Sequence, residues 1–170
     1  MPWRQMIESD LPAVQVIADT IHHALPESAS VFASRLRHYP KGCIVYTPPD
    51  TDASDPANIK GYIMSFPIRH TQPPPLETHL TPIPEDANQF YMHDVVVMPE
   101  CRRQGAAREG ITRILELSRS EGFETTCLVS VYGTVEFWGR FGFKMYPISD
   151  ELTKKIKSYG DEAEYLVRPN

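Results

Sequence analysis

A cluster of basic and small residues separates a valine-rich run from an amphipathic segment near the middle of the chain. It reads R-R-Q-G-A-A and comprises Arg102, Arg103, Gln104, Gly105, Ala106 and Ala107. The small side chains from Gly105 onward let a ligand approach the backbone. The helix start that follows offers free N–H groups and the positive end of a dipole, and the arginines add charge for a phosphate. Alone, the pattern fits an anion site and equally an ordinary helix start.

The apolar run before this cluster carries a group that can move a proton. Histidine titrates near neutral pH, which makes His93 a candidate general base, with a packed histidine as the alternative. Because side chains alternate along a strand, Tyr91, His93 and Val95 are predicted to share one face. Asp94 is then predicted to point to the other face and to orient the structure.

The remaining histidines and the cysteines predict no further chemistry. His22 and His23 lie in the first predicted helix without a carboxylate or cysteine at ligand spacing, so we expect them on its polar face and expect no metal site. The cysteines, Cys43, Cys101 and Cys127, are odd in number and contain no C-x-x-C pair. That pattern argues against a disulfide framework and for a reducing compartment.

Composition narrows the class of protein. The 170 residues carry a formal net charge of −5, which disfavours nucleic acid and anionic membranes as partners. The N-terminus lacks the apolar segment of a secretory signal, and no apolar run is long enough to span a bilayer. We therefore expect a soluble, cytoplasmic protein.

Hydrophobic periodicity predicts the elements that position the candidate residues. Strands are predicted over residues 3–7, 43–47, 59–68, 90–98, 125–132, 143–146 and 163–167. Helices are predicted from residue 11 to near residue 26, over residues 29–38, from residue 105 or 107 to near residue 122, and over residues 134–141. The stretch from Phe90 to Tyr132 then forms a βαβ unit of an α/β fold. In the second helix, Arg35 and Arg37 are expected to face water.

A proline-rich stretch lies within this pattern. Residues 69–89 contain five prolines, two histidines and few residues that could join a core. Proline stiffens a chain without backbone hydrogen bonds, and connections of this length are often functional. We predict a semi-rigid flap, which is the name used below for residues 69–88.

Two motifs in this order resemble the Gcn5-related N-acetyltransferase (GNAT) superfamily. Arg102, Gly105 and Ala107 match the fixed positions of its R/Q-x-x-G-x-G/A motif, and F-W-G-R-F-G-F at residues 137–143 is similar to its F-Y-x-x-x-G-F. The resemblance implies one acetyltransferase domain over residues 1–170. Its fold would be a mixed central sheet of about six to seven strands flanked by about four helices.

The resemblance also implies acetyl-CoA as cosubstrate and no metal. The pyrophosphate would lie on the loop of Arg102, Arg103, Gln104, Gly105, Ala106 and Ala107. The backbone of Val95, Val96 and Val97 would pair with the acetyl and pantetheine groups, with the Val95 N–H polarising the thioester. Tyr91 is assigned to the substrate.

The candidate catalytic residues match the family's pattern less closely than the residues assigned to acetyl-CoA do. In its arylalkylamine branch, a histidine at the position matching His93 serves as base. The tyrosine that usually protonates the leaving thiolate is replaced by Trp138, whose indole N–H is no acid at neutral pH. Either Tyr132 supplies the proton or the thiolate leaves unassisted.

The resulting functional hypothesis is direct acetyl transfer from acetyl-CoA to a primary amine in a ternary complex. The favoured acceptor is an amine of a small molecule. Neither a nucleic acid nor a membrane is expected as a partner, and a homodimer is one possible assembly. One alternative is an acetyltransferase for a protein lysine or N-terminus. The other is a non-catalytic acyl-CoA sensor, suggested by the loss of the usual tyrosine.

Overall fold

Seven strands form one mixed sheet in the computed structural model, which describes residues 2–170. They are β1 (Trp3–Gln5), β2 (Cys43–Tyr46), β3 (Gly61–Ile68), β4 (Gln89–Val97), β5 (Thr125–Ser130), β6 (Lys144–Met145) and β7 (Glu164–Pro169). Their order across the sheet is β1-β2-β3-β4-β5-β7-β6. Within residues 2–170 only β4 and β5 run parallel, and the helix of the predicted βαβ unit connects them. The other neighbours are antiparallel.

In the described part of the chain, five α-helices accompany the sheet, one more than the sequence predicts. They are α1 (Leu11–Ile21), α2 (Ala29–His38), α3 (Ala106–Ser120), α4 (Val135–Gly139) and α5 (Asp150–Ile156). The extra helix, α5, lies in a charged stretch where Leu152 and Ile156 alone are buried, and the Ser149 side chain caps its start. The first helix ends at Ile21 rather than near Pro26.

The α/β class and the mixed seven-stranded sheet confirm the predicted fold. Within residues 2–170, no helix has the length and apolar character needed to cross a membrane.

The start of α3 is anchored to the first strand of the sheet. The Trp3 indole is 1% exposed and donates its Nε1–H to the Ala106 carbonyl at 2.8 Å. Arg113, two turns further along α3, donates to the Trp3 carbonyl at 2.7 Å. Ile111 and Ile114 are buried in the same core. These contacts fix the helix, and the loop before it, against one face of the sheet.

The parallel strands β4 and β5 pair along only part of their length. The register joins Phe90 to Thr126 and Tyr91 to Cys127, and no later residues of the two strands pair. We call the opening between residues 92–97 and residues 128–130 the β4–β5 gap. Along it, one edge of β4 presents backbone N–H and C=O groups that no neighbouring strand satisfies.

A β-bulge in β4 lies beside this gap. On the β3 side Met64 is opposite Asp94 and Ser65 is opposite Met92, so His93 has no partner residue. An extra residue of this kind bends a strand and changes where the following side chains point.

Because of the bulge, the side chains of β4 do not alternate between the two faces as the sequence predicts. His93 and Asp94 both reach groups on the side covered by α1 and α2, because His93 contacts Glu27 and Asp94 contacts His22. Val95 packs instead against the core on the α3 side. The prediction that Val95 shares the face of His93, with Asp94 opposite, is therefore wrong.

The close packing of α3 on Trp3 can be tested at Gly110. A Cβ atom there would lie 2.6 Å from two indole carbons of Trp3 and 2.9 Å from Ile63 Cδ1. We expect Gly110→Ala to lower the free energy of unfolding, because overpacking costs about 1–3 kcal/mol and exceeds the helix-propensity gain of about 1 kcal/mol. Gly139→Ala, in α4 with open space around it, is the matched control. Urea denaturation showing equal stability for both variants would contradict this packing.

Candidate active site

A small pocket lies where β4 and β5 separate. Its volume is about 40 Å³, and its walls include His93 and Asp94 from β4 and Val129 from β5. Glu27, which follows α1, and Leu76 of the flap complete part of the wall. The pocket therefore adjoins the β4–β5 gap on the side of α1 and α2.

A buried group of charges supports one wall of this pocket. Glu27 contacts Arg35 through Oε2 at 2.5 Å and His93 Nε2 through Oε1 at 2.8 Å. It also accepts the backbone N–H of Glu77, in the flap, at 3.0 Å. Arg35 is 1% exposed and stacks over Phe32, so the expectation that it faces water is wrong. The reason is that α2 turns Phe32 and Arg35, one turn apart, toward the sheet.

These contacts fix the protonation of Glu27 and His93. Burial raises the pKa of Glu27, but its contacts with His93 and Arg35 outweigh burial and hold that pKa well below its usual range. Burial and the charge of Arg35 lower the pKa of His93, despite its bond to Glu27. At neutral pH the carboxylate is charged and the imidazole is neutral.

A neutral His93 has no free nitrogen. A carboxylate only accepts, so His93 Nε2–H donates to Glu27 and Nδ1 accepts the Tyr91 hydroxyl at 3.0 Å. Tyr91 is fully buried behind His93, and its hydroxyl lies 3.4 Å from that of Tyr159. The role of His93 as base and that of Tyr91 as substrate contact stay predictions. The structure places both residues in a tightly bonded network.

A second set of contacts was not anticipated from the sequence. His22, just after α1, contacts Asp94 Oδ1 through Nε2 at 2.8 Å and the Tyr132 hydroxyl through Nδ1 at 2.9 Å. Tyr62 donates its hydroxyl to the other oxygen of Asp94 at 2.5 Å. His22 thus turns inward rather than lying on a polar helix face. Polar residues at the end of an amphipathic helix were its only sequence signal.

The charges of this second set support one another. Burial lowers the pKa of His22, but the hydrogen bond to Asp94 and the charges of Asp94 and Glu27 together outweigh burial and raise this pKa. Burial raises the pKa of Asp94, and the contact with His22 reverses this to a net lowering. Burial raises the pKa of the Tyr132 hydroxyl, and the charge of Asp94 adds to the effect.

The loop before α3 has the features of an anion site. Gly105 occupies the N-cap position at φ 82°, and no side chain caps the first N–H groups of the helix. The space above Gly105 is open, since a Cβ there would meet no atom within 4 Å. Residues 102–105 are exposed, whereas Ala106 is buried and Ala107 half-buried. Arg102 donates its Nε–H to the Val97 carbonyl at 2.9 Å, which ties the loop to the end of β4.

These features fit acetyl-CoA. The uncapped helix start and the exposed arginines suit a pyrophosphate. The unpaired edge of β4 suits the amide-containing arm of the cosubstrate, which can pair with it as a strand would. Val96 and Val97 are buried and Val95 is half-buried, so only their backbone can make such contacts. Trp138 packs in the core against Phe143 and is not placed to act as an acid.

The pairing of Glu27 with Arg35 gives a test of the buried network. Arg35→Ala leaves the Glu27 carboxylate buried without its arginine partner, and breaking such a pair costs about 3–5 kcal/mol. Arg37→Ala, on the exposed side of the same helix, is the matched control. We expect urea denaturation to show a large loss of stability for Arg35→Ala and less than about 0.5 kcal/mol for Arg37→Ala. Equal, small losses would contradict the network.

Comparison with known proteins agrees with this geometry. The model of the acetyltransferase (GNAT) family matches residues 10–143. No curated protein matches the chain by sequence. Three solved structures share the fold at low identity. The NatC complex bound to Gag peptide and CoA contains a chain with 15% identity and a TM-score of 0.73, covering 99% of this chain and 97% of that one. Ard1 from Thermoplasma volcanium has 16% identity and a TM-score of 0.71, covering 98% and 95%.

The third structure is N-acetylglutamate synthase from Neisseria gonorrhoeae, complexed with coenzyme A and N-acetyl-glutamate. It has 16% identity and a TM-score of 0.68, and the match covers 98% of this chain and 34% of that one. At such identities the structural similarity shows the fold, and the family match shows the membership. The predicted family, CoA-dependent acyl transfer and acetyl-CoA as cosubstrate are confirmed. The chain belongs to the GNAT family of acetyltransferases.

Proposed function

We propose that the protein transfers the acetyl group of acetyl-CoA to a primary amine of a small molecule, by direct attack in a ternary complex. The observation that carries this proposal is the acidic pocket beside the β4–β5 gap, with Leu76 of the flap in one wall. Acetyl-CoA supplies the activated acetyl thioester. The chain supplies the binding surfaces, the local charge and the proton transfers.

The cosubstrate is assigned to the unpaired edge of β4 and the start of α3. The loop from Arg102 to Ala107 would hold the pyrophosphate, and the backbone of Val95, Val96 and Val97 would hold the arm. The tie between Arg102 and Val97 keeps these two surfaces in register. A backbone N–H of β4 aimed at the thioester oxygen would stabilise the developing negative charge.

The amine is assigned to the pocket because of its charge. Glu27 and Asp94 each contribute one negative charge, and Arg35 contributes one positive charge, so the side chains sum to −1 when both histidines are neutral. That sign favours an alkylammonium ion, whose pKa of about 10.4 requires a proton to leave before the nitrogen can attack.

The flap supports a small acceptor rather than a polypeptide. Its backbone at Glu77 bonds to Glu27, and the Glu77 carboxylate accepts the Ser28 N–H at 2.6 Å. Further along, the Leu80 N–H donates to Ser34 Oγ at 2.8 Å. These bonds hold the flap against α2, and Leu76 covers part of the pocket. A pocket of about 40 Å³ suits the narrow end of a small amine.

Acetylation of a protein N-terminus or lysine is the second candidate. It is favoured by the structural similarity to the NatC complex, which was solved with a Gag peptide and CoA. The similarity to N-acetylglutamate synthase points the other way, toward a small acceptor. A polypeptide would require the flap to move from its place on α2.

An acceptor panel separates the candidates. We expect CoA thiol release with small primary amines and none with peptides that carry a free N-terminus or an internal lysine. The physical reason is the flap, whose bonds to Glu27, Ser28 and Ser34 hold it where the backbone of a peptide would have to lie. Preference for peptides would support the second candidate and overturn the first. Acetyl-CoA binding without release on any acceptor would indicate the sensor instead.

The cosubstrate assignment predicts a specific effect at Gly105. Gly105→Glu places a negative side chain in the open space before α3, so we expect acetyl-CoA affinity to fall by about tenfold or more, equal to at least about 1.4 kcal/mol. Gly122→Glu is the matched control, since Gly122 also has positive φ and open surroundings but lies at the other end of α3. Both variants carry the same backbone strain. Equal calorimetric affinities for the two would contradict the assignment.

A further inference from the structure

Three side chains form a continuous hydrogen-bonded chain across the β4–β5 gap. Asp94 lies on β4 beyond its last pair with β5, and Tyr132 follows the end of β5. His22 connects them, with 2.8 Å to Asp94 and 2.9 Å to the Tyr132 hydroxyl. These hydrogen bonds thus connect β4 to the residues just after β5 across the gap.

The chemistry of the groups sets the direction of each bond. Asp94 is ionised and only accepts, so neutral His22 donates Nε2–H to it and keeps a lone pair on Nδ1. That lone pair accepts the Tyr132 O–H. Tyr62 donates to the second oxygen of Asp94, which fixes the carboxylate from another side. The Tyr132 oxygen can still accept a hydrogen bond, and this side chain is 52% exposed.

The backbone at Tyr132 gives a second, independent observation. Its φ is 57°, in the left-handed region that a bulky aromatic residue rarely adopts. Such strain persists only where surrounding contacts hold it, and it is typical of functional sites. Here the His22 ring stacks on the Tyr132 ring, with centroids 5.8 Å apart and planes at 16°. An exposed tyrosine is therefore held in one position by the same histidine that accepts its proton.

We propose that Tyr132, His22 and Asp94 form a proton relay that carries a proton from the acceptor amine to the sulfur of CoA. The proposal rests on the proposed function. Tyr132 is the catalytic residue, because its hydroxyl meets the reactants. His22 and Asp94 are positioning residues that act through it.

The steps balance without a further reactant. The bound ammonium ion first releases one proton to solvent water. The neutral amine nitrogen then forms a bond to the acetyl carbon, and its surplus proton passes to the Tyr132 oxygen while the tyrosine proton passes to His22 Nδ1. Asp94 stays ionised and stabilises the imidazolium. The carbon–sulfur bond then breaks with its electron pair on sulfur, which takes a proton from Tyr132 as His22 returns one. Amide and thiol are formed, and the enzyme is unchanged.

The relay supplies the proton transfers that Trp138 and His93 do not supply. Trp138 lies in the core and carries no useful acid. His93 has both ring nitrogens occupied by Glu27 and Tyr91. A lone tyrosine is a weak acid, but exchange with His22 avoids a free tyrosinate at any point.

The relay has a defined pH dependence. His22 faces Asp94 from β4, Tyr132 from the end of β5 and Glu27 from the segment after α1, while Tyr62 of β3 bonds to the same Asp94. The carboxylates outweigh burial and raise the pKa of His22. Since only neutral His22 can accept a proton, kcat should fall as the pH drops through this raised pKa.

The kinetic test uses His22→Gln, Tyr132→Phe and the double variant, with exposed His23→Gln as the matched control. At saturating substrates we expect each single variant to lose about 100-fold in kcat, the low end for proton-transfer catalysis, with an unchanged KM for acetyl-CoA. The double variant should lose no more than either single one, because both act in one relay. The acidic fall in kcat should disappear in His22→Gln and persist in His23→Gln.

A second readout does not need turnover. In the protein without acetyl-CoA, at a pH above the raised pKa of His22, nitrogen-15 NMR of the imidazole should show the Nε2–H tautomer, and Asp94→Asn should lower that pKa. An Nδ1–H tautomer, wild-type kcat in His22→Gln, or additive losses in the double variant would each overturn the relay alone. A wild-type protein that acetylates no amine would overturn the proposed function and the relay with it.

Discussion

The separation of β4 from β5 is the constraint on which the site depends. Two parallel strands that begin paired would gain hydrogen bonds by staying paired, yet pairing stops after Tyr91 and Cys127. The structure holds them apart from both sides. On one side, β5 makes six pairs with β7 and only two with β4. On the other, the bulge at His93 bends β4 beside the gap. The unpaired edge that results is what a strand-like ligand can use.

The buried charges keep the pocket beside the gap in shape. Removing Glu27 and Arg35 from water is costly, and an apolar pair of the same volume would often be more stable. The ion pair instead fixes three elements relative to one another. The Glu27 carboxylate binds α2 through Arg35, β4 through His93 and the flap through the Glu77 backbone. The segment after α1 is thereby fixed where His22 reaches Asp94. The contacts of Glu27 thus hold both the charges that line the pocket and the proton relay in position.

Elements with strong local patterns could be predicted from the sequence. Residues 29–38 form the predicted helix α2, and the loop before α3 lies where its small residues place it. Helix α5 was missed because two apolar residues four apart, Leu152 and Ile156, are a weak signal among lysines. The buried side of α2 could have been found from the spacing of Phe32 and Arg35, but the partner of Arg35 could not.

The arrangement of the site depends on features without a local signature. A single bulge residue places Asp94 on the face of His93, and strand alternation alone predicts the opposite. His22 meets Asp94 and Tyr132 across 72 and 110 positions of sequence, so only the tertiary structure brings them together. The family resemblance identifies the loop that binds the cosubstrate. It does not identify a proton path here, because Trp138 replaces the tyrosine that the family usually has.

The most direct test of the account is the location of bound acetyl-CoA. Nitrogen-15 chemical shifts of the backbone amides, followed during titration with acetyl-CoA, report which segments it contacts. We expect the largest changes in residues 92–97 of β4 and in residues 102–108 before and within α3, with smaller ones at His22 and Tyr132. Changes concentrated elsewhere, for example at residues 121–125 beyond the other end of α3, would contradict the assignment of the β4–β5 gap as the site of acetyl transfer.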